Sequence, residues 1–95
     1  MSVVLMLELP GMTPEIYDAI NERIGFPATV PEGLETHIAG VEETGMRVIG
    51  VWESEEQFER FLQGKLLPAM GEIDGHGSVS APGVVQLPLY DRWSS

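Results

Sequence analysis

Cysteine is absent from the chain, which removes disulfides, thiolate metal sites and a cysteine nucleophile together. Basic side chains are scarce, five against fifteen acidic ones, for a formal charge of −10. A surface of that sign repels phosphate backbones and anionic lipid, so neither nucleic acid nor a membrane is expected as a partner. Its plainer role is to keep the protein in solution. No apolar run approaches the roughly 18 residues that span a bilayer. The start, Met1-Ser2-Val3-Val4, has no basic residues ahead of its apolar ones, unlike a signal peptide, so a cytoplasmic location is expected. Phosphate-cradling glycine loops, nucleophile elbows and dinucleotide fingerprints are all missing. The only two histidines, His37 and His76, lie far apart in sequence, whereas a metal site needs three or four converging donors. No metal and no cofactor is therefore expected.

What is present reads as one globular domain over residues 1–95, with 43% apolar residues. Its organising stretch runs from Leu34 to Phe61. A strand from Leu34 to Val41 precedes the turn dipeptide Thr44-Gly45, and Met46 to Trp52 forms the returning strand, a hairpin signal. A loop centred on Thr44-Gly45 pairs Glu43 with Met46, Val41 with Val48, Ala39 with Gly50 and His37 with Trp52, which sets imidazole beside indole. Ahead of the hairpin, Val3 to Leu9 suits a central strand, interrupted only by Glu8 and ended by Pro10-Gly11. Thr13, Pro14 and Glu15 open a helix whose apolar stripe is Ile16, Ala19, Ile20 and Ile24, and Gly25 stops it. Phe26 to Gly33 is a proline-rich connector.

After the hairpin, Ser54-Glu55-Glu56-Gln57 is a capping box, and Phe58, Phe61, Leu62 and Leu66 are the stripe of a second helix. Gly64 and Pro68 predict a kink or break there, with a last turn restarting at Pro68 and carrying Met70. Ile73 to Gly83, with His76 at its middle, reads as a surface loop and candidate lid. Val84 to Tyr90 reads as the last strand, with Pro88 marking an edge or the end of pairing, and Asp91 to Ser95 as a tail. The order, strand-helix-strand-strand-helix-strand, interleaves two right-handed β-α-β units into an α+β, ferredoxin-like antiparallel sheet with both helices on one face. The uncovered face carries too many apolar side chains for water, so a second copy is expected to cover it and form a homodimeric α/β barrel.

Gly33-Leu34 with His37 and Ala39-Gly40, Arg47-Val48, Val51-Trp52-Glu53-Ser54-Glu55 running into Phe58 and Phe61, and Leu66 to Met70 with Pro68 together carry a likeness. On these residues the chain resembles the dimeric α/β-barrel proteins of the antibiotic biosynthesis monooxygenase-like group. The resemblance implies a scaffold reused for cofactor-free oxygenation of phenolic polyketides, cyclisation, haem degradation and muconolactone isomerisation, as well as in proteins of no known activity. Haem-degrading relatives carry a haem-ligating histidine on a helix, and this second helix has none. Monooxygenases of the group often place a histidine after the tryptophan strand, where this chain reads Phe58-Glu59-Arg60-Phe61.

His37 shares its face with Ala39, Val41, Val48, Gly50 and Trp52. That face is expected to line the barrel, and Thr36, Ile38, Ile49 and Val51 to form the helix-packed core. An imidazole titrates near neutral pH, so His37 is the candidate catalytic residue, moving a proton to or from an acidic carbon or phenol; otherwise it is a hydrogen-bonded structural histidine. Candidate ligand contacts are Trp52, which stacks on a planar molecule or fills space; Tyr90, preferred over Tyr17 as a phenolic donor; Glu8, as a base or at an exposed strand end; and His76, in the lid or solvated. Arg47 is expected at the surface, paired with an acid. The expected activity is histidine-assisted proton transfer on a hydrophobic aromatic or polyketide-like molecule held between sheet and helices, with cofactor-independent monooxygenation its most specific version. The alternatives are a cyclase or isomerase on the same scaffold, or a non-catalytic ligand-binding or interaction module.

Overall fold

The computed structural model describes residues 2–73 and 82–93. β1 (Val3–Pro10) leads through α1 (Pro14–Ile24) to β2 (Leu34–Glu42) and β3 (Gly45–Trp52). α2 (Glu55–Phe61), a π-helical turn (Leu62–Leu66) and α3 (Leu67–Ile73) then run on without interruption, and β4 (Gly83–Pro88) follows. The sheet is antiparallel in the order β2-β3-β1-β4, the ferredoxin-like βαββαβ arrangement. The loop expected between the last helix and last strand, His76 included, lies outside the described residues.

Helix ends follow local chemistry. The Thr13 side chain accepts from the Ile16 amide at 3.2 Å, Pro14 occupies the first turn, and Gly25 closes α1 in the left-handed region at φ 85°. Half of the expected capping box forms. The Ser54 hydroxyl accepts from the Gln57 amide at 3.2 Å, but the Gln57 side chain takes the Ser54 hydroxyl proton at 2.9 Å instead of reaching the serine backbone. The kink expected around Gly64 and Pro68 is a widened turn. The Leu67 N–H bonds back to Leu62 O, one residue further than in an α-helix, which accommodates a proline ring without breaking the rod.

Two expectations about the hairpin are corrected. His37 faces Gly50, Ala39 faces Val48 and Val41 faces Met46, so the tight turn is Glu43-Thr44 and not Thr44-Gly45. Gly45 already belongs to β3 as the partner of Pro10, where an added Cβ would collide with the Leu9 carbonyl oxygen, while Thr44 O accepts from the Gly11 amide at 2.8 Å. An irregularity between Leu34 and Thr36 brings Leu34 opposite Trp52.

The faces are also exchanged. Leu5, Leu7 and Leu9 of β1 point at the helices, and their register places Val48, Gly50 and Trp52 on that same side. The His37 face is therefore the helix-packed one. Thr36, Ile38, Ile49 and Val51 share the other face with Val4, Met6 and Glu8. β1 sets this parity: its three buried leucines alternate with exposed Glu8, and β3 must follow. The core behind the sheet joins these leucines to Met12, Ile20, Phe58, Leu62, Leu66 and Met70. Pro88 ends β4, an edge strand, two residues before Tyr90, which stands outside the sheet. Beyond it the chain crosses the end of the sheet, the Leu89 amide donating to Ser2 O at 3.0 Å and Arg92 reaching Glu35 of β2 at 3.2 Å.

Candidate active site

Between sheet and helices lies a cavity of about 60 Å³. Its walls are apolar apart from Tyr17 and Asn21 of α1, His37 of β2 and the indole edge of Trp52 of β3; no charged side chain lines it. The connector from α1 to β2 closes one side with Phe26 and Pro31.

Helix α1 supplies the partner of the histidine. Tyr17 Oη lies 2.7 Å from His37 Nε2, with the two ring planes 13° apart. Phe26 meets the imidazole edge-on, centroids 5.0 Å apart at 64°. Burial under these groups pushes the imidazole below its ordinary 6.5, so the ring is neutral at neutral pH. A neutral imidazole has one bare nitrogen. If Nδ1 carries the proton, Nε2 accepts from the tyrosine hydroxyl; in the other tautomer Nε2–H donates to it. The bond thus works in both directions, as a proton relay requires.

Trp52 is 4% exposed and packs against Phe58 (5.5 Å, 72°) and Phe61 (5.5 Å, 38°). Gly50 makes room for it, since a Cβ there would sit 2.8 Å from the indole nitrogen. The indole N–H has no acceptor among the described residues, although the ring borders the cavity.

The structure therefore gathers His37, Tyr17 and Trp52 around one space. Glu8 lies across the sheet, on the open face, 3.3 Å from Arg47, which also pairs with Glu42 at 3.0 Å. Tyr90 is 101% exposed beyond β4 and does not reach the cavity. His76 falls outside the described residues. Asn21 is the wall residue that the sequence reading passed over. The available signal was its place one turn after Tyr17 on the row continuing to Ile24, a polar residue within an apolar stripe. Among the described residues no three histidine or carboxylate groups converge, and no helix is long and apolar enough to cross a membrane.

No protein-family model matches the chain, and no curated protein matches it in sequence. Its backbone is similar to solved structures along the whole chain. SnoaB, a cofactor-independent oxygenase from Streptomyces nogalater, superposes with a TM-score of 0.68 at 16% identity, over 99% of this chain and 98% of its own. A dimeric ferredoxin-like protein of unknown function from Thermobifida fusca gives 0.61 at 17% identity, over 94% and 92%. A candidate antibiotic biosynthesis monooxygenase from Deinococcus radiodurans gives 0.61 at 14% identity, over 100% and 98%. At these identities the similarity establishes the ferredoxin-like fold.

Proposed function

We propose that this protein binds a hydrophobic aromatic or polyketide-like molecule between its sheet and helices and moves a proton on it with His37, in a cytoplasmic homodimer. The single observation that carries the reading is the 2.7 Å bond between Tyr17 and a half-buried neutral imidazole in an otherwise apolar cavity. A structural histidine is satisfied equally well by a backbone carbonyl. Here its partner is a second proton-carrying group that borders the same space. The cavity as it stands admits a few atoms, so a polycyclic ligand enters by outward movement of the connector bearing Phe26 and Pro31.

In the oxygenase version, His37 takes a proton from an acidic phenol or from the methylene tautomer of one. The resulting anion reduces dioxygen without a cofactor, because the substrate itself supplies the electrons. One oxygen atom converts CH₂ to C=O and the other leaves as water. The protein need contribute only a base, a dry pocket and orientation. SnoaB, which shares the fold, is a cofactor-independent oxygenase, and that supports this version. Without dioxygen the same proton transfer gives isomerisation or cyclisation.

Anthrone, which has such a methylene, serves as a probe. The wild type is expected to consume one dioxygen per anthraquinone formed, and His37→Ala to lose the rate while keeping its fold by circular dichroism. Turnover undiminished in His37→Ala would remove the histidine from the mechanism. Loss of a proton from anthrone with no oxygen uptake would favour the isomerase or cyclase version.

A further inference from the structure

We infer that Asn21 holds a carbonyl oxygen of the ligand, so that the substrate class is an aromatic ketone whose acidic hydrogen lies beside that carbonyl. The inference rests on the proton-transfer reading of the site and extends it. Asn21 stands one helical turn after Tyr17, which puts the two Cβ atoms about 5–6 Å apart on one face of α1. Its backbone is pinned, because Asn21 O accepts from the amides of Gly25 and Phe26 at 2.9 and 3.0 Å where the helix ends. Its side chain borders the cavity and has no hydrogen-bond partner among the described residues. Leucine or alanine would make a better helix and a better apolar wall at this position. The carboxamide is half-buried but not sealed from solvent, and a ligand that displaces its water must satisfy it in turn, as a carbonyl oxygen does.

The chemistry uses that group. When the Tyr17 hydroxyl passes its proton to His37 Nε2 and takes one from the carbon next to a carbonyl, the C–H bond breaks and its electron pair moves onto oxygen as an enolate. No lysine or arginine lines this cavity, and the only cation facing the new charge is the imidazolium formed by the same transfer, so a neutral donor at the enolate oxygen adds to its stabilisation. The Asn21 carboxamide, one helical turn from Tyr17 on the wall of the same cavity, is such a donor. Return of a proton from His37, relayed through the Tyr17 hydroxyl, completes the exchange with no net oxidation.

The test uses 2-tetralone, a bicyclic ketone with acidic α-hydrogens, in D₂O, with α-hydrogen exchange followed by proton NMR above the uncatalysed background. Affinity for 2-naphthol, the same skeleton without a carbonyl, is measured in parallel. Wild type is expected to accelerate exchange and His37→Ala to abolish the acceleration. Asn21→Ala is expected to lower kcat/KM about 100-fold while changing the 2-naphthol affinity less than twofold. Asn21→Gln, which keeps the carboxamide on a longer arm, should recover part of the rate. Alanine is the better helix former, so the variant is expected to fold, and its thermal midpoint checks this. Exchange by Asn21→Ala within twofold of wild type, with His37→Ala inactive, overturns the role of Asn21 alone. A wild type that neither binds 2-naphthol nor accelerates exchange overturns the proton-transfer reading and this inference together.

Discussion

A histidine whose charge is resisted by burial couples stability to pH with a definite sign. His37 has a folded-state pKa below 6.5, so between that lowered value and 6.5 the unfolded chain takes up a proton that the folded chain refuses. The stabilisation is present above pH 6.5 and is lost as pH falls through the folded value. The difference in unfolding free energy between wild type and His37→Gln is therefore expected to shrink from pH 7.5 to pH 5, as read from urea titrations of both proteins. In Tyr17→Phe the imidazole loses its partner at 2.7 Å, at an expected cost of about 1 kcal/mol. Proton-transfer rates should fall with it. That His37 and Trp52 share a face was legible from period-two alternation, because parity survives a two-residue error in register. The identity of the hydroxyl beside His37 was not. Tyr17 reaches it only through packing of α1 on the sheet, a contact between residues 20 positions apart that no local pattern encodes.

Among the elements, β3 explains why the two faces were exchanged. It carries Val48 and Trp52 on one side and Ile49 and Val51 on the other, so neither side looks wet. The deciding signal sat in β1, where Glu8 has the parity opposite to Leu5, Leu7 and Leu9 and pairs with Arg47 across the strands. Combined with the register, that one acid identifies the open face. Pro68, by contrast, was informative on its own. A proline in a helical pattern demands a local accommodation, and the π-turn from Leu62 to Leu66 provides it. Gly64 lies within that turn, and a Cβ there would meet nothing within 4 Å. Its backbone freedom is a cost with no compensating contact. Gly64→Ala is accordingly expected to raise stability by about 0.5–1 kcal/mol, and a urea midpoint unchanged or lowered relative to wild type would show that the π-turn requires glycine.

At the scale of the whole molecule, the uncovered sheet face is where homodimerisation must be decided. Ile38, Val85 and Leu87 are 57%, 45% and 50% exposed there, alongside half-buried Val4, Met6 and Ile49. A chamber on the His37 face closed by a second copy would exist only in the dimer. The cavity instead lies behind the sheet of one chain, on the side away from this face, so assembly and binding become separable. Two forces oppose each other at the proposed interface. Burial of the aliphatic patch drives association by about 25 cal/mol per Å² of apolar surface, while two bodies of charge −10 repel over the Debye length. That length is about 30 Å at 0.01 M salt and about 8 Å at 0.15 M, so association is expected to strengthen as salt is added, opposite to a dimer held by ion pairs. Ile38→Asp adds charge to the patch and removes aliphatic area from it. The wild type is expected to sediment at twice its 10.4 kDa chain mass in 0.15 M salt and to shift toward monomer at 0.01 M. Ile38→Asp is expected to remain monomeric at both, yet to bind 2-naphthol as wild type does. A monomeric wild type at every salt concentration would leave the patch to some other partner. A variant that loses binding along with its twin would show that the second copy shapes the cavity from across the sheet.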